Sequence, residues 1–312
     1  MAVAFIFPGQ GSQYRGMGRE LYDSFIEARE VFEEASEGAK VDLARLCFEA
    51  PDEELTLTYN AQPAIFTVSM AVLKVLEKAG FNKRPLVVAG HSLGEFSAAG
   101  AANVFSVGQG AMLVRKRGEF MQEAVPPGVG GMTAVIGLPA EKVEEIVKGV
   151  KGGFVQVANY NSPEQTVISG EIKGLEEAEE LCRRAGAKRV VRLPVSAPFH
   201  SRLMEPAANR LKELMESMEF KKAATPILNN VDVKLIKEPD EVKGSFYRQV
   251  FSPVRWVEDV KKMKEMGVTT LYEIGPKNVL KGLIRRIDRE LKVINVETPR
   301  DIEKLLEQKE EE

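Results

Sequence analysis

The sequence predicts an α/β fold in which a parallel sheet, covered by helices on both faces, carries a smaller unit of different rhythm. Three observations lead there. Short, wholly apolar runs that end at Gly or Pro alternate with stretches of helical periodicity. The segment 130–195 breaks that alternation and is flanked by prolines. At 312 residues, a large domain carrying a smaller one is the expected packing, because single cores stop growing near roughly 250–300 residues. Taken in order, Ala2–Phe7 is continuously apolar and breaks at Pro8-Gly9, as a buried parallel strand feeding a loop does. Apolar positions recur at helical spacing over 19–36 and 60–79, and 84–90 reads as a second buried strand. Strands alternating with helices imply a parallel sheet covered on both sides.

Between 130 and 195 the pattern predicts strands near 132–137, 154–159, 165–169 and 188–193, and helices near 140–149 and 172–185. That order, βαββαβ, is the ferredoxin-like arrangement. Pro126-Pro127-Gly128 on one side and the prolines between 194 and 198 on the other are suited to crossings between domains. The predicted division is therefore 1–126 with 198–312 as the large domain and 127–197 as the inserted small one. The chain then returns through a helix at 202–218, short strands around 226–231 and 270–274, a helix at 255–266 and a last helix at 277–290. Residues 307–312 read as a frayed, solvated acidic tail.

Composition narrows the function classes. The chain is 44% hydrophobic and 29% charged, with 43 Lys plus Arg against 46 Asp plus Glu. A near-balanced charge argues against nucleic-acid binding, which needs a basic excess. Cys47 and Cys182 stand far apart with no CxxC and no neighbouring histidine, so neither a disulfide framework nor a zinc site is indicated. No apolar stretch approaches the ~18 residues of a membrane span, and no basic leader precedes the first apolar run. A cytoplasmic, monomeric protein without membrane association is expected.

Chemistry enters at Gly90-His91-Ser92-Leu93-Gly94, a G-x-S-x-G between a buried strand and a small-residue helix, the setting of a nucleophile elbow. Glycines at 90 and 94 permit a sharp turn that would lift the Ser92 hydroxyl off the sheet, and the following helix would aim its amides at developing negative charge. The alternative is a serine N-cap on an ordinary turn. A serine needs a base. There are 2 histidines in the chain. His91 adjoins Ser92 and should point away, in support of the loop; His200, where the chain re-enters the large domain, is the candidate base, against a structural role. No acid stands out as its orienter.

FPGQGSQ at 7–13, GHSLGE at 90–95, RGEFMQEA at 117–124, NYNSPEQTVISG at 159–170, VSAPFHSRLM at 195–204, NNVD at 229–232, RQV at 248–250, SPVRW at 252–256 and LYEIGPKNVLKGL at 271–283 resemble, in order and spacing, the malonyl-CoA:acyl carrier protein transacylase family. The resemblance spans nearly the whole chain. It implies an α/β-hydrolase-like large domain with a ferredoxin-like insert, and transfer of malonyl from coenzyme A to the phosphopantetheine thiol of acyl carrier protein in fatty acid synthesis, with no metal or redox cofactor. By the same resemblance Ser92 is the acylated nucleophile and His200 its base. Gln249 corresponds to a neutral orienter whose carbonyl accepts the histidine's other proton, unless it is an ordinary helix-end glutamine. Gln10 and Leu93 resemble the pair whose backbone N–H groups form the oxyanion hole.

Among Arg115, Lys116 and Arg117, the family pattern selects Arg117 to bind the malonyl carboxylate; without it, an exposed helix cation is the plainer reading. An ionised carboxylate cannot enter a dry pocket unpaired, and a guanidinium offers a bidentate fork. Phe199 matches a position that is aromatic in malonyl-selective members and would crowd a methyl branch; the alternative is core packing. Asn161 is expected to order the domain junction. The carrier protein is acidic, so basic docking residues are expected: Lys188, Arg189 and Arg192, or Lys281, Arg285 and Arg286. Rival readings are a polyketide-pathway acyltransferase, a serine esterase or thioesterase, and an inactive carrier-binding module.

Overall fold

The computed structural model describes residues 2–126, 128–195 and 197–310. The predicted crossing at Pro127, position 196 in the second crossing, and the last two positions of the predicted tail lie outside the described residues.

Among the described residues, ten strands form two sheets. The first holds β1 (Ala2–Phe7), β2 (Val87–Gly90), β7 (Ile227–Leu228), β8 (Leu235–Ile236), β9 (Val268–Ile274) and β10 (Lys292–Val296) in the order β10-β9-β1-β2-β7-β8. All its pairings are parallel except the β7–β8 edge. β1 lies centrally and its residues alternate between two cores: Val3, Phe5 and Phe7 face one, Ala4 and Ile6 the other. That two-sided burial is why the run is continuously apolar. The large core is filled by the helices Ile26–Ala39, Thr58–Lys78, Leu93–Ala101 and Val107–Glu123, the smaller by Trp256–Glu265 and Val279–Ile287.

The second sheet holds β3 (Gly130–Ile136), β4 (Val155–Ser162), β5 (Gln165–Glu171) and β6 (Arg189–Arg192) in the order β4-β5-β3-β6, antiparallel throughout. Helices Ala140–Gly149 and Ile172–Arg184 cover one face over a third core that includes Val135, Val157, Ile168 and Leu175. From the other face, Met132, Ala134, Ala158 and Val167 join the main core. β4 is tied to the loop before helix Trp256–Glu265 where Tyr160 N–H donates to Val254 O and Val254 N–H to Ala158 O, both at 2.9 Å.

Several expected elements differ. The helix expected over 19–36 is two, Arg19–Ser24 and Ile26–Ala39, because Phe25 is extended (φ −128°, ψ 131°). The helix expected at 202–218 starts as a 3₁₀ turn at Arg202–Met204 and continues as Glu205–Glu216, with Pro206 in its first turn. The helix at 277–290 shortens to Val279–Ile287 and is not the last: β10 and the helix Pro299–Glu310 follow, so 307–310 are helical instead of frayed. Helix Pro239–Gln249 was not expected; Glu238 and Glu241 close a capping box at its start. No helix among the described residues is long and apolar enough to cross a membrane.

Candidate active site

The end of β2 and the start of helix Leu93–Ala101 build the centre. A Cβ on Gly90 would lie 2.0 Å from the carbonyl oxygen of Gly94, and one on Gly94 would lie 2.0 Å from that of Phe7. Only glycines allow this closeness of backbone to backbone. Between them Ser92 is held at φ 54°, ψ −107°, and its Oγ stands 2.7 Å from Nε2 of His200. Nδ1 of His200 lies 2.8 Å from the main-chain carbonyl of Gln249. A carbonyl can only accept, so Nδ1 carries the proton and Nε2 presents its lone pair to the serine hydroxyl. The histidine is 3% exposed; burial, and then the charge of Arg117, push its pKa down to about 3. It is therefore neutral, the form a general base requires.

Arg117 is not an exposed helix cation. It is 2% exposed, with Nη1 donating to Gln62 Oε1 at 2.7 Å and Nη2 to Gln249 Oε1 at 2.9 Å and to Ser92 Oγ at 3.3 Å. Its guanidinium carbon lies 5.0 Å from the ring centre of Phe96. Nε has no hydrogen-bond partner among the described residues. By contrast, Arg115 pairs with Glu119 and Lys116 is half exposed. Burial pulls the Arg117 pKa down to about 10, opposed by Glu95, which leaves a cation at neutral pH.

Gln249 joins the site twice. Its main chain faces His200, while its side chain receives Arg117 at Oε1 and donates from Nε2 to Ser92 O (3.0 Å) and Glu95 Oε2 (2.7 Å). Orientation of the histidine thus does not depend on the glutamine side chain. Glu95, Asn230 and Asp259 were not singled out from the sequence, and all three are fully buried beneath Ser92. Glu95 accepts from Asn230 N–H, Ser245 Oγ and Gln249 Nε2. Burial pushes its carboxyl up, opposed by those hydrogen bonds and by Arg117. Gln62 and Thr58 were also missed; Thr58 donates to Gln10 Oε1 at 2.9 Å and accepts from Gln62, linking the Gln10 side chain to Arg117.

A cavity of about 260 Å³ opens onto Ser92. Gln10, Leu93, Arg117, Phe199 and His200 line it, with Met132 and Val167 contributed by the small sheet. Phe199 packs in the main core at 6% exposure and also reaches the cavity wall. His91 turns away from the Ser–His pair, meeting Asn161 Oδ1 at 2.8 Å and the edge of Trp256. A serine with a neutral imidazole, at a helix start and beside a buried cation, can form an acyl ester and can pair a negatively charged acyl group.

The acyl transferase domain family model matches residues 4–300. The chain belongs to the malonyl CoA-acyl carrier protein transacylase family of acyl transferases. It is 48% identical to the malonyl CoA-acyl carrier protein transacylase of Bacillus subtilis, over 96% of this chain and 95% of that one. It is 43% identical to that of Escherichia coli K12, over 91% and 92%. Among solved transacylase-family structures, a Bartonella henselae acyl-carrier-protein-S-malonyltransferase superposes with TM-score 0.96 at 47% identity, covering 99% of both chains. A malonyl-transacylase solved in complex with its type II polyketide acyl-carrier protein superposes with TM-score 0.95 at 42% identity, covering 99% of this chain and all of that one.

Proposed function

We propose that this enzyme transfers malonyl from malonyl-CoA to the phosphopantetheine thiol of holo acyl carrier protein by a ping-pong serine-ester mechanism. The observation that carries the reading is the fully buried guanidinium of Arg117, 3.3 Å from the hydroxyl that hydrogen-bonds the neutral His200. In the first half-reaction Ser92 Oγ attacks the thioester carbon while His200 Nε2 takes its proton. The C–S bond breaks, and the proton passes to the departing coenzyme A sulfur. In the second half His200 deprotonates the carrier thiol, whose sulfur attacks the ester; the C–Oγ bond breaks and the serine recovers its proton. Backbone N–H groups of Gln10 and Leu93 are assigned to the oxyanion, Arg117 to the malonyl carboxylate and Phe199 to the wall that a methyl branch would meet. Acyl exchange between thiol and hydroxyl changes no oxidation state, so it needs no redox cofactor, and the Ser–His pair supplies the proton transfers without a metal.

The fold is read further as an α/β-hydrolase-like large domain, 1–126 with 198–312, and a ferredoxin-like small domain, 127–197. The β4-β5-β3-β6 order with two helices on one face supports the latter. The enzyme is assigned to the cytoplasm as a monomer. For the acidic carrier, the group of Lys281, Arg285 and Arg286 is favoured over the small-sheet cluster: Arg285 and Arg286 line a cleft with Arg289, Ser162 and Glu164, which Lys281 does not reach, whereas Arg192 is paired with Glu179 at 2.7 Å and Lys188 lies 3.6 Å from Glu164. Supply of fatty acid synthesis is the preferred assignment, with a polyketide pathway as the alternative. Steady-state kinetics with malonyl-CoA and holo carrier protein varied together test the reaction. Parallel double-reciprocal lines are expected; malonate release that ignores the carrier would make the protein a thioesterase.

A further inference from the structure

We propose that Asn230 is a positioning residue for the nucleophile: its carboxamide, aligned by the buried carboxyl of Asp259, braces the strained backbone at Ser92. The proposal rests on the reading of Ser92 as the acylated residue. With φ 54° and ψ −107°, Ser92 occupies a region that a residue bearing a side chain keeps only when its surroundings impose it. Asn230 holds the N–H side of Ser92, as Gln249 Nε2 holds its carbonyl at 3.0 Å. Asn230 Oδ1 accepts from Ser92 N–H at 2.9 Å and from Gln249 Nε2 at 3.2 Å. Its Nδ2 donates to Gly90 O at 2.8 Å and to Asp259 Oδ2 at 2.9 Å. Its own N–H donates to Glu95 Oε2 at 3.0 Å.

The orientation of the amide is dictated by its partners. Ser92 N–H and Gln249 Nε2 can only donate and Gly90 O can only accept, so turning the carboxamide over would break all three contacts. One side chain thereby clasps the last residue of β2 and the nucleophile across the turn between them. That clasp fixes the direction of Ser92 Oγ toward His200 and the direction of the Leu93 amide that follows. Asn230 does not line the cavity, so it acts through Ser92 and not on the acyl group.

Asp259, from helix Trp256–Glu265, is 0% exposed, and its Oδ1 has no hydrogen-bond partner among the described residues. Burial raises its pKa well above the usual carboxylate range, opposed by the hydrogen bond from Asn230 and by Arg255, while the neighbouring charges of Glu95 and Glu258 add to the rise. What Asn230 takes from it is therefore an acceptor oxygen, which an asparagine also supplies.

The test is pre-steady-state acylation of the full chain by malonyl-CoA, followed as coenzyme A release. Burst amplitude counts competent sites and burst rate reports acylation per site. Asn230→Ala is expected to slow the rate per site at least 30-fold, with half-saturation in malonyl-CoA within threefold of the parent. Asp259→Asn should stay within threefold of the parent rate, and Asp259→Leu should lose at least tenfold. Asn230→Asp, which keeps the acceptor for Ser92 but not both donors, should fall between parent and Asn230→Ala; it serves with the Asp259 pair if Asn230→Ala does not fold. A merely structural role would lower the amplitude and leave the rate per site at the parent value. That result, or an Asp259→Asn rate as low as that of Asp259→Leu, overturns the proposal. A parent that forms no ester at Ser92 would instead overturn the functional reading beneath it.

Discussion

Replacing Arg117 with alanine should move two substrates in opposite directions. In the parent the guanidinium is fixed by Gln62 and Gln249, stacked near Phe96 and 2% exposed. A malonyl carboxylate entering the same cavity without it would be a buried, unpaired charge, a loss of roughly 3–5 kcal/mol. At about 1.4 kcal/mol per decade, malonyl transfer should fall by roughly two to three and a half orders of magnitude in kcat/KM. Acetyl has no carboxylate to pair. Moreover, Arg117 is the second cause, after burial, that holds the His200 pKa down to about 3, so its removal makes the base stronger. Acetyl transfer should hold or rise. The assay is kcat/KM for malonyl-CoA and acetyl-CoA with parent, Arg117→Ala and Arg117→Lys, the last keeping charge without the fork and expected to lie between the others for malonyl. A parallel decline for both acyl groups would refute the reasoning and return Arg117 to a purely structural role.

Other perturbations separate the parts of the site. His200→Ala should slow both half-reactions by roughly 10²–10⁴-fold, as loss of a positioned acid–base group does; equal acylation rates in mutant and parent would remove it from the mechanism. Gln249→Ala keeps the main-chain carbonyl that faces His200 but releases the Arg117 and Glu95 contacts. Its cost should therefore be smaller than that of His200→Ala and greater for malonyl-CoA than for acetyl-CoA, which the same kinetics report. Glu273 caps helix Val279–Ile287 by accepting from Leu280 and Lys281 N–H at 2.8 Å, and burial raises its pKa to about 7. The folded state then holds the proton longer than the unfolded chain, so this group contributes stability below pH ~4.5 that is lost as pH rises to 7. Glu273→Gln should flatten that fall by a few kcal/mol in urea melts, and an unchanged slope would contradict it.

What could be read in the sequence was local. β1 and β2 are apolar on both faces, and the Gly90–Gly94 spacing states its own backbone requirement. The βαββαβ rhythm appears as four strands and two helices with boundaries close to those expected. β10 was missed because its residues are mostly half-buried at the sheet edge (Lys292 exposed, Val293 to Asn295 intermediate), which leaves little alternation to detect. The Pro239–Gln249 helix did carry a signal, the Glu238–Glu241 box that spans Pro239. Within the site, the acceptor for His200 is a main-chain carbonyl, which any residue type could provide, so no search for an acid could find it. Glu95, Asn230 and Asp259 look like surface residues in a one-dimensional reading. Their burial arises only where a helix start, a loop after β7 and a later helix meet under Ser92.

The central claim is a malonyl ester on Ser92 that a carrier thiol can discharge. Peptide mass mapping after incubation with malonyl-CoA tests it directly. A single malonyl adduct is expected on the peptide containing Ser92, absent from Ser92→Ala and lost on adding holo acyl carrier protein as malonyl appears on the carrier. An adduct on another residue, or one that survives the carrier and yields only to water, would contradict it.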